Sequence, residues 1–103
     1  MRRFSAAAIL LAAVLASHAQ AEPIPAKNLA ADRRACTAAC TSRGLPLAKC
    51  TPYCDCISKG VGAEFTFEEY TAAAEATQQN QYPSQDVMDR MTKITKACAA
   101  GVQ

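Results

Sequence analysis

The residues of this 103-residue chain with the most chemistry to offer are six cysteines, spaced C-x3-C-x9-C-x3-C-x-C-x41-C at Cys36, Cys40, Cys50, Cys54, Cys56 and Cys98. An even number of thiols in a small chain reads as a disulfide framework formed in an oxidising compartment. Two other chemistries compete for the same residues. The Cys54-Asp55-Cys56 segment is a C-x-C pair, which can form a strained, readily reduced disulfide and exchange it through an activated thiolate. Against that, Asp55 between the thiols raises their pKa by like-charge repulsion, no cation is adjacent in sequence, and a helix splays the two sulfurs apart. Thiolates also bind soft metals such as copper(I), but only as reduced cysteines. Structural disulfides are the expectation, with thiol exchange or soft-metal handling at Cys54 and Cys56 as the alternative.

Other catalytic constellations are thin. The single histidine, His18, lies in a segment that reads as a leader, so the processed chain lacks the commonest general base and metal ligand. Ser58 and Ser84 then have no histidine to activate them, and there is no glycine-rich phosphate loop. Asp55, Glu64, Glu68, Glu69 and Glu75 are the acid–base candidates, yet Glu68 and Glu69 project about 100° apart on a helix and do not form a facing pair. The acidic block reads as solvated helix surface. The expectation is a non-enzyme with no cofactor and no metal site.

The N-terminus sets the compartment. Arg2 and Arg3 precede an apolar run from Ala6 to Ala16, and Ala19-Gln20-Ala21 offers the small-x-small pattern of signal-peptidase cleavage. The run is too short to span a membrane. Residues 1–21 are therefore expected to be a signal peptide, giving a periplasmic or secreted product. Residues 22–103 carry nine basic and nine acidic groups, a balance that does not favour nucleic acid or an anionic membrane surface. Six of the basic groups fall in Glu22–Lys59 and six of the acidic ones in Gly60–Gln103.

The elements that must position the cysteines read as helices. Glu22 to Lys27, with Pro23 and Pro25, is expected to be a mobile arm, and residues 28–103 a single domain. Asn28 is a candidate N-cap for a first helix carrying Leu29, Cys36, Ala39 and Cys40, ended by Gly44. Thr51-Pro52 looks like an N-cap followed by proline at the first helical position, opening a helix with Cys54, Ile57 and Val61 on one stripe. Gly60 and Gly62 weaken the end of that helix. Thr66 and Glu69 form a capping box for a third helix showing Phe67, Tyr70 and Ala74 on one side. Ser84 begins a fourth, where Val87, Met91, Ile94 and Cys98 recur at +4, +3 and +4. Nothing alternates with period two. The fold class is all-α: a small disulfide-stapled domain of three to four short helices built on an antiparallel hairpin.

Six cysteines allow fifteen connectivities, and helical geometry favours one without excluding the rest. Cysteines four apart share a helix face, so two C-x3-C pairs on an antiparallel hairpin match outer with outer and inner with inner: Cys36 with Cys54, Cys40 with Cys50. Cys56 lies about 200° around the helix from Cys54. It must point away from the first helix, which leaves it to Cys98 and places the second helix between the first and the fourth.

The paired motif Cys36/Cys40 and Cys50/Cys54 resembles the α-helical hairpins stapled by twin C-x3-C motifs, seen in small mitochondrial intermembrane chaperones and in plant hairpin defence peptides. The resemblance covers about Asp32 to Ser58. The nine-residue spacer and the extra Cys56 and Cys98 depart from both patterns, so neither chaperone nor antimicrobial function is carried over. The stretch from Tyr53-Cys54-Asp55-Cys56 through Phe65-Thr66-Phe67-Glu68-Glu69-Tyr70 to Ala97-Cys98 is similar to small exported Cys-rich proteobacterial proteins. That likeness implies the framework and the compartment, and no activity. The expected role is a non-catalytic binding or accessory protein for a protein partner. Tyr53, Phe65 and Tyr82, with the loop Gln78 to Tyr82, are the candidate contacts, because aromatics outside a small core often mark interfaces. Core packing competes for the same rings.

Overall fold

The computed structural model describes residues 21–101. The expected signal peptide lies outside the described residues except for Ala21, as do residues 102–103. Four helices follow one another: α1 (Ala26–Ser42), α2 (Leu47–Glu64), α3 (Phe67–Gln78) and α4 (Gln85–Ala100). Among the described residues the only β pairing is an isolated bridge between Pro23 and Thr66. The protein is all-α and disulfide-stapled. None of these helices is long and apolar enough to cross a membrane.

Helix α2 is the centre of the arrangement, with α1 packed on one side and α4 on the other. Cys36–Cys54 and Cys40–Cys50 staple α1 to α2 as an antiparallel hairpin, and Cys56–Cys98 ties α2 to α4. The Cα–Cα spans of 5.8, 5.7 and 5.6 Å lie in the usual range for disulfides. These are the three pairs that the opposite orientation of Cys54 and Cys56 on one helix selects. No described cysteine is free.

Among the described residues the buried ones are few: Ile24, Cys50, Cys54, Phe65 and Cys98. Three of the five are disulfide-bonded cysteines. A chain this short buries too little apolar surface to hold itself closed, and cross-links supply what the core lacks.

Close approach of the helices depends on two glycines in α2. A Cβ on Gly60 would sit 2.6 Å from Ile94 Cγ2, and one on Gly62 would sit 2.9 Å from Leu29 Cδ1. Each glycine lets a branched side chain of a neighbouring helix rest against the α2 backbone. They do not shorten the helix, which runs on to Glu64.

Several boundaries differ from the sequence expectation. Helix α1 starts at Ala26 behind an N-cap at Pro25, so Asn28 lies in its first turn and donates its backbone N–H to the Pro25 carbonyl. The segment 22–27, expected as a mobile arm, is packed. Ile24 is buried, Pro23 bridges to Thr66, and Phe67 donates its N–H to the Glu22 carbonyl at 2.8 Å. One buried isoleucine is enough to hold so short a segment, and its last two residues are already helical. Helix α2 starts at Leu47 behind Pro46, not at Thr51–Pro52. Pro52 lies inside the helix and leaves the Ala48 carbonyl without its intrahelical partner. The cost is tolerated because the turn preceding it carries Cys50, bonded to Cys40 on α1.

Other local signals hold. Gly44 takes φ +89°, the left-handed conformation that ends α1. Thr66 and Glu69 form both hydrogen bonds of the capping box, and Ser84 caps α4.

Candidate functional site

A concavity with a mainly apolar lining lies where all four helices meet. Leu29 of α1, Ile57 and Val61 of α2, Phe65 just beyond it, and Val87 and Met91 of α4 wall a cleft of about 240 Å³. Each wall follows from local pattern. Ile57 and Val61 are one turn apart on the α2 stripe that begins at Cys54. Val87 and Met91 are the first two members of the α4 stripe, presented inward because Cys98 anchors the far end of that helix to α2. The Cys36–Cys54 bridge forms part of the lining. A covalent staple therefore sets the distance between two of the walls.

Helix α3 closes a side with Glu69, Tyr70 and Ala73. The sequence stripe placed Ala74 beside Tyr70, but Ala74 is exposed and Ala73 faces the cleft. The helix is rotated by two hydrogen bonds that its periodicity does not encode. Tyr70 donates its phenol to Asp32 Oδ2 of α1 at 2.7 Å, and Glu69 accepts from Arg90 of α4. With both held inward, the residue three to four positions on is Ala73. The Asp32 carboxylate beside the Tyr70 phenol, with some burial, pushes the Tyr70 pKa up.

Arg90 is the residue that sequence reasoning missed. Its guanidinium contacts Glu69, donates to the Glu64 carbonyl at 2.6 Å and the Glu64 carboxylate at 3.1 Å, and reaches Asp86 at 3.0 Å. It also lies over the Phe65 ring, 4.5 Å from the centroid. One side chain thus joins the end of α2, the start of α3 and the start of α4 at one end of the cleft. Hydrogen bonds from Arg90 and from the Thr66 backbone hold the Glu69 carboxyl at a pKa of about 2, well below its ordinary 4.5. The Arg90 pKa moves up in return, with Glu69 as the main cause. The signal was present: a lone arginine next to Met91 on the apolar stripe, preceded by an acidic α2–α3 junction.

Arg33, which lines the cleft, also faces Asp55 outside it, with 3.6 Å between Nε and Oδ1 and both side chains about half exposed. A cation therefore does stand beside the Cys54-Asp55-Cys56 segment in space, across the hairpin from it, although none is adjacent in sequence. Cys54 and Cys56 are not joined to each other, since each is bonded to a different helix. Ser58 also lines the cleft. Most helical hydroxyls here fold back on a carbonyl of their own helix, as Thr37, Thr71 and Thr92 do. Among the described residues the Ser58 hydroxyl has no such bond.

The three aromatics singled out as partner contacts are not brought together. Phe65 is 7% exposed and belongs to the core, which corrects its assignment as a contact: Arg90 covers its ring and Val61 accepts the backbone N–H that follows the helix. Tyr53 is half-buried on α2 and does not line the cleft. Tyr82 is 87% exposed in the α3–α4 loop, beyond Asn80, which adopts φ +56°. Among the described residues no group of three or more Cys, Asp, Glu or His side chains is arranged to hold a metal ion.

No family model matches the chain, and neither the curated proteins nor the solved structures give a match.

Proposed function

We propose that this is a non-catalytic binding protein that works outside the cytoplasm, in the periplasm or beyond the cell, and holds its ligand in the cleft between the four helices. The observation that carries the reading is the apolar cleft walled by helices that disulfides hold apart at fixed distance. Apolar clefts with a few convergent polar groups are the usual form of small-ligand sites. The compartment follows from the leader-like N-terminus together with three disulfides, which persist where thiols are not kept reduced. The non-catalytic part follows from what the cleft contains. Glu69 is locked as a carboxylate by Arg90 and Thr66, and Asp32 is occupied by the Tyr70 phenol. Glu69, held well below its ordinary pKa, is not poised to move a proton near neutral pH.

The test uses protein purified from an oxidising compartment. Benzene, small enough for the cleft and without a polar handle, is titrated while amide and methyl chemical shifts are followed. Saturable shifts confined to Leu29, Ile57, Val61, Val87 and Met91 support the reading. Shifts absent at saturation in the folded protein, or spread evenly over the surface, overturn it. Tyr82 on its exposed loop serves as the internal control, because it lies away from the cleft walls.

A further inference from the structure

Resting on that reading, we propose that the ligand is a small uncharged amphiphile: a compact apolar body of up to about ten carbons bearing a single oxygen acceptor that the Ser58 hydroxyl engages. The size comes from the volume. A dry, Leu/Ile/Phe-lined cavity of about 150 Å³ takes a benzene ring. A cleft of about 240 Å³, apolar over most of its lining but with polar groups along it, has room for roughly half as much again. It is too small for most drug-sized ligands.

The polar end follows from which polar groups of the lining are free. Glu69 is taken by Arg90 and the Thr66 backbone, and the Tyr70 proton is given to Asp32. Ser58 keeps a donor with no protein acceptor among the described residues. It sits one turn beyond Cys54 on α2, and Arg33 sits one turn before Cys36 on α1. Because the two helices run antiparallel and Cys36 is bonded to Cys54, Ser58 and Arg33 stand at the same level on the two sides of the hairpin. An oxygen held near that level accepts from Ser58, and the Arg33 guanidinium adds a favourable field.

The absence of net charge on the ligand follows from the rim. Arg33 is already opposed by Asp55, which is not part of the lining, and Asp32 and Glu69 are the carboxylates that are. A ligand carboxylate would gain the attraction of one half-neutralised cation and meet two anions. A quaternary ammonium would have the anions nearby but meet Arg33, and would leave Ser58 without an acceptor. A ketone, ester or alcohol oxygen avoids both conflicts.

The experiment compares 2-nonanone, nonanoate and nonyltrimethylammonium at pH 7, each below its micelle concentration, by the same chemical-shift titration, with benzene as the charge-free reference. The expected order is 2-nonanone tightest, with both charged chains at least tenfold weaker. Benzene should displace 2-nonanone competitively, which locates the ketone in the cleft without any substitution. Ser58→Ala should weaken 2-nonanone by about fivefold, the size of one neutral hydrogen bond, and leave benzene unchanged. Ser58 lies at an accessible surface of the cleft and Ala is a good helix former, so the variant should fold, as a thermal melt will verify. If nonanoate or the ammonium binds as tightly as the ketone, the uncharged class is wrong while the cleft stands. If Ser58→Ala changes nothing, the anchor is wrong. If neither benzene nor any chain binds the folded protein, the binding-cleft reading itself fails.

Discussion

Gly60 offers a sign test of the packing between α2 and α4. In an exposed helix interior, glycine to alanine stabilises by about 1 kcal/mol, because alanine loses less backbone freedom on folding. At position 60 the new methyl would lie 2.6 Å from Ile94 Cγ2 and 3.3 Å from Cγ1, against an ordinary carbon–carbon contact of about 3.5–4.0 Å. The neighbour has little room to yield. Isoleucine is β-branched and holds essentially one χ1 rotamer in a helix. The two helices also cannot drift apart there, since Cys56 and Cys98 are joined one turn away from Gly60 and Ile94. Overpacking of this kind costs about 1–3 kcal/mol. Set against the propensity gain, Gly60→Ala should destabilise by roughly 0–2 kcal/mol, or a Tm fall of up to about 16 °C for a domain of this size. In an Ile94→Ala background the clash is gone, and the same substitution should stabilise by up to about 1 kcal/mol. The four proteins form a double-mutant cycle, read by guanidinium unfolding with the disulfides intact, and the coupling should be roughly 1–3 kcal/mol. If Gly60→Ala stabilises equally in both backgrounds, with coupling near zero, the close approach of α4 to the α2 backbone is refuted.

Replacing Cys56 and Cys98 together by serine opens the longest covalent loop, with a sequence separation of 42. The chain-entropy relation gives about 4 kcal/mol for that closure, compared with about 3 kcal/mol for separations of 18 and 10. Hydrogen exchange should then show α4 amides exchanging freely while the doubly stapled α1–α2 hairpin stays protected, and unchanged thermal stability would contradict this. Glu69 makes stability depend on acid. Its carboxyl titrates at about 2 in the fold against 4.5 in the open chain, so its contribution is complete above about pH 4.5 and is lost as pH falls towards 2. The shift alone corresponds to about 3 kcal/mol, reduced by solvent screening to on the order of 1–2 kcal/mol because the side chain is 31% exposed. Glu69→Gln should therefore flatten the stability curve between those pH values, and an unchanged slope would show that the Arg90 contact carries no weight. Ile24→Ala should cost roughly 2 kcal/mol or more, read as a lower denaturant midpoint, because it empties one of the few buried sites. A free arm would give no change.

Much of the architecture is legible in local patterns. The C-x3-C pairs, the 200° between Cys54 and Cys56, and the Val87–Met91–Ile94–Cys98 stripe each state a direction on a helix. Directions are enough to select which helix faces which. The capping box at Thr66–Glu69 and the left-handed turn at Gly44 are legible for the same reason: a few adjacent residues satisfy their own backbone groups. Where local signals failed, a contact from a distant part of the chain had prevailed. Thr51–Pro52 is a good helix start taken alone, but the Cys40–Cys50 bridge holds an earlier turn against α1, and the helix begins at Leu47. Pro23 and Pro25 describe an extended segment correctly, while the burial of Ile24 between them accompanies backbone pairing with Thr66 and Phe67, far along the chain.

The candidate site shows the same division more sharply. Its apolar walls are written in the periodicity of α2 and α4, and the disulfide that spaces two of them follows from cysteine spacing. The rotation of α3, the convergence of Arg90 on Glu64, Glu69 and Asp86, and the isolation of the Ser58 hydroxyl are not. The sequence by itself pointed to an all-α fold of three to four helices and favoured one covalent order of their packing, because each rests on residues within a turn or two of one another or on a direction around a helix. Only the tertiary structure decided that the stapled helices leave a cleft between them and which polar groups reach it unpaired. Both depend on gaps and alignments between surfaces far apart in the chain, and no local propensity encodes them.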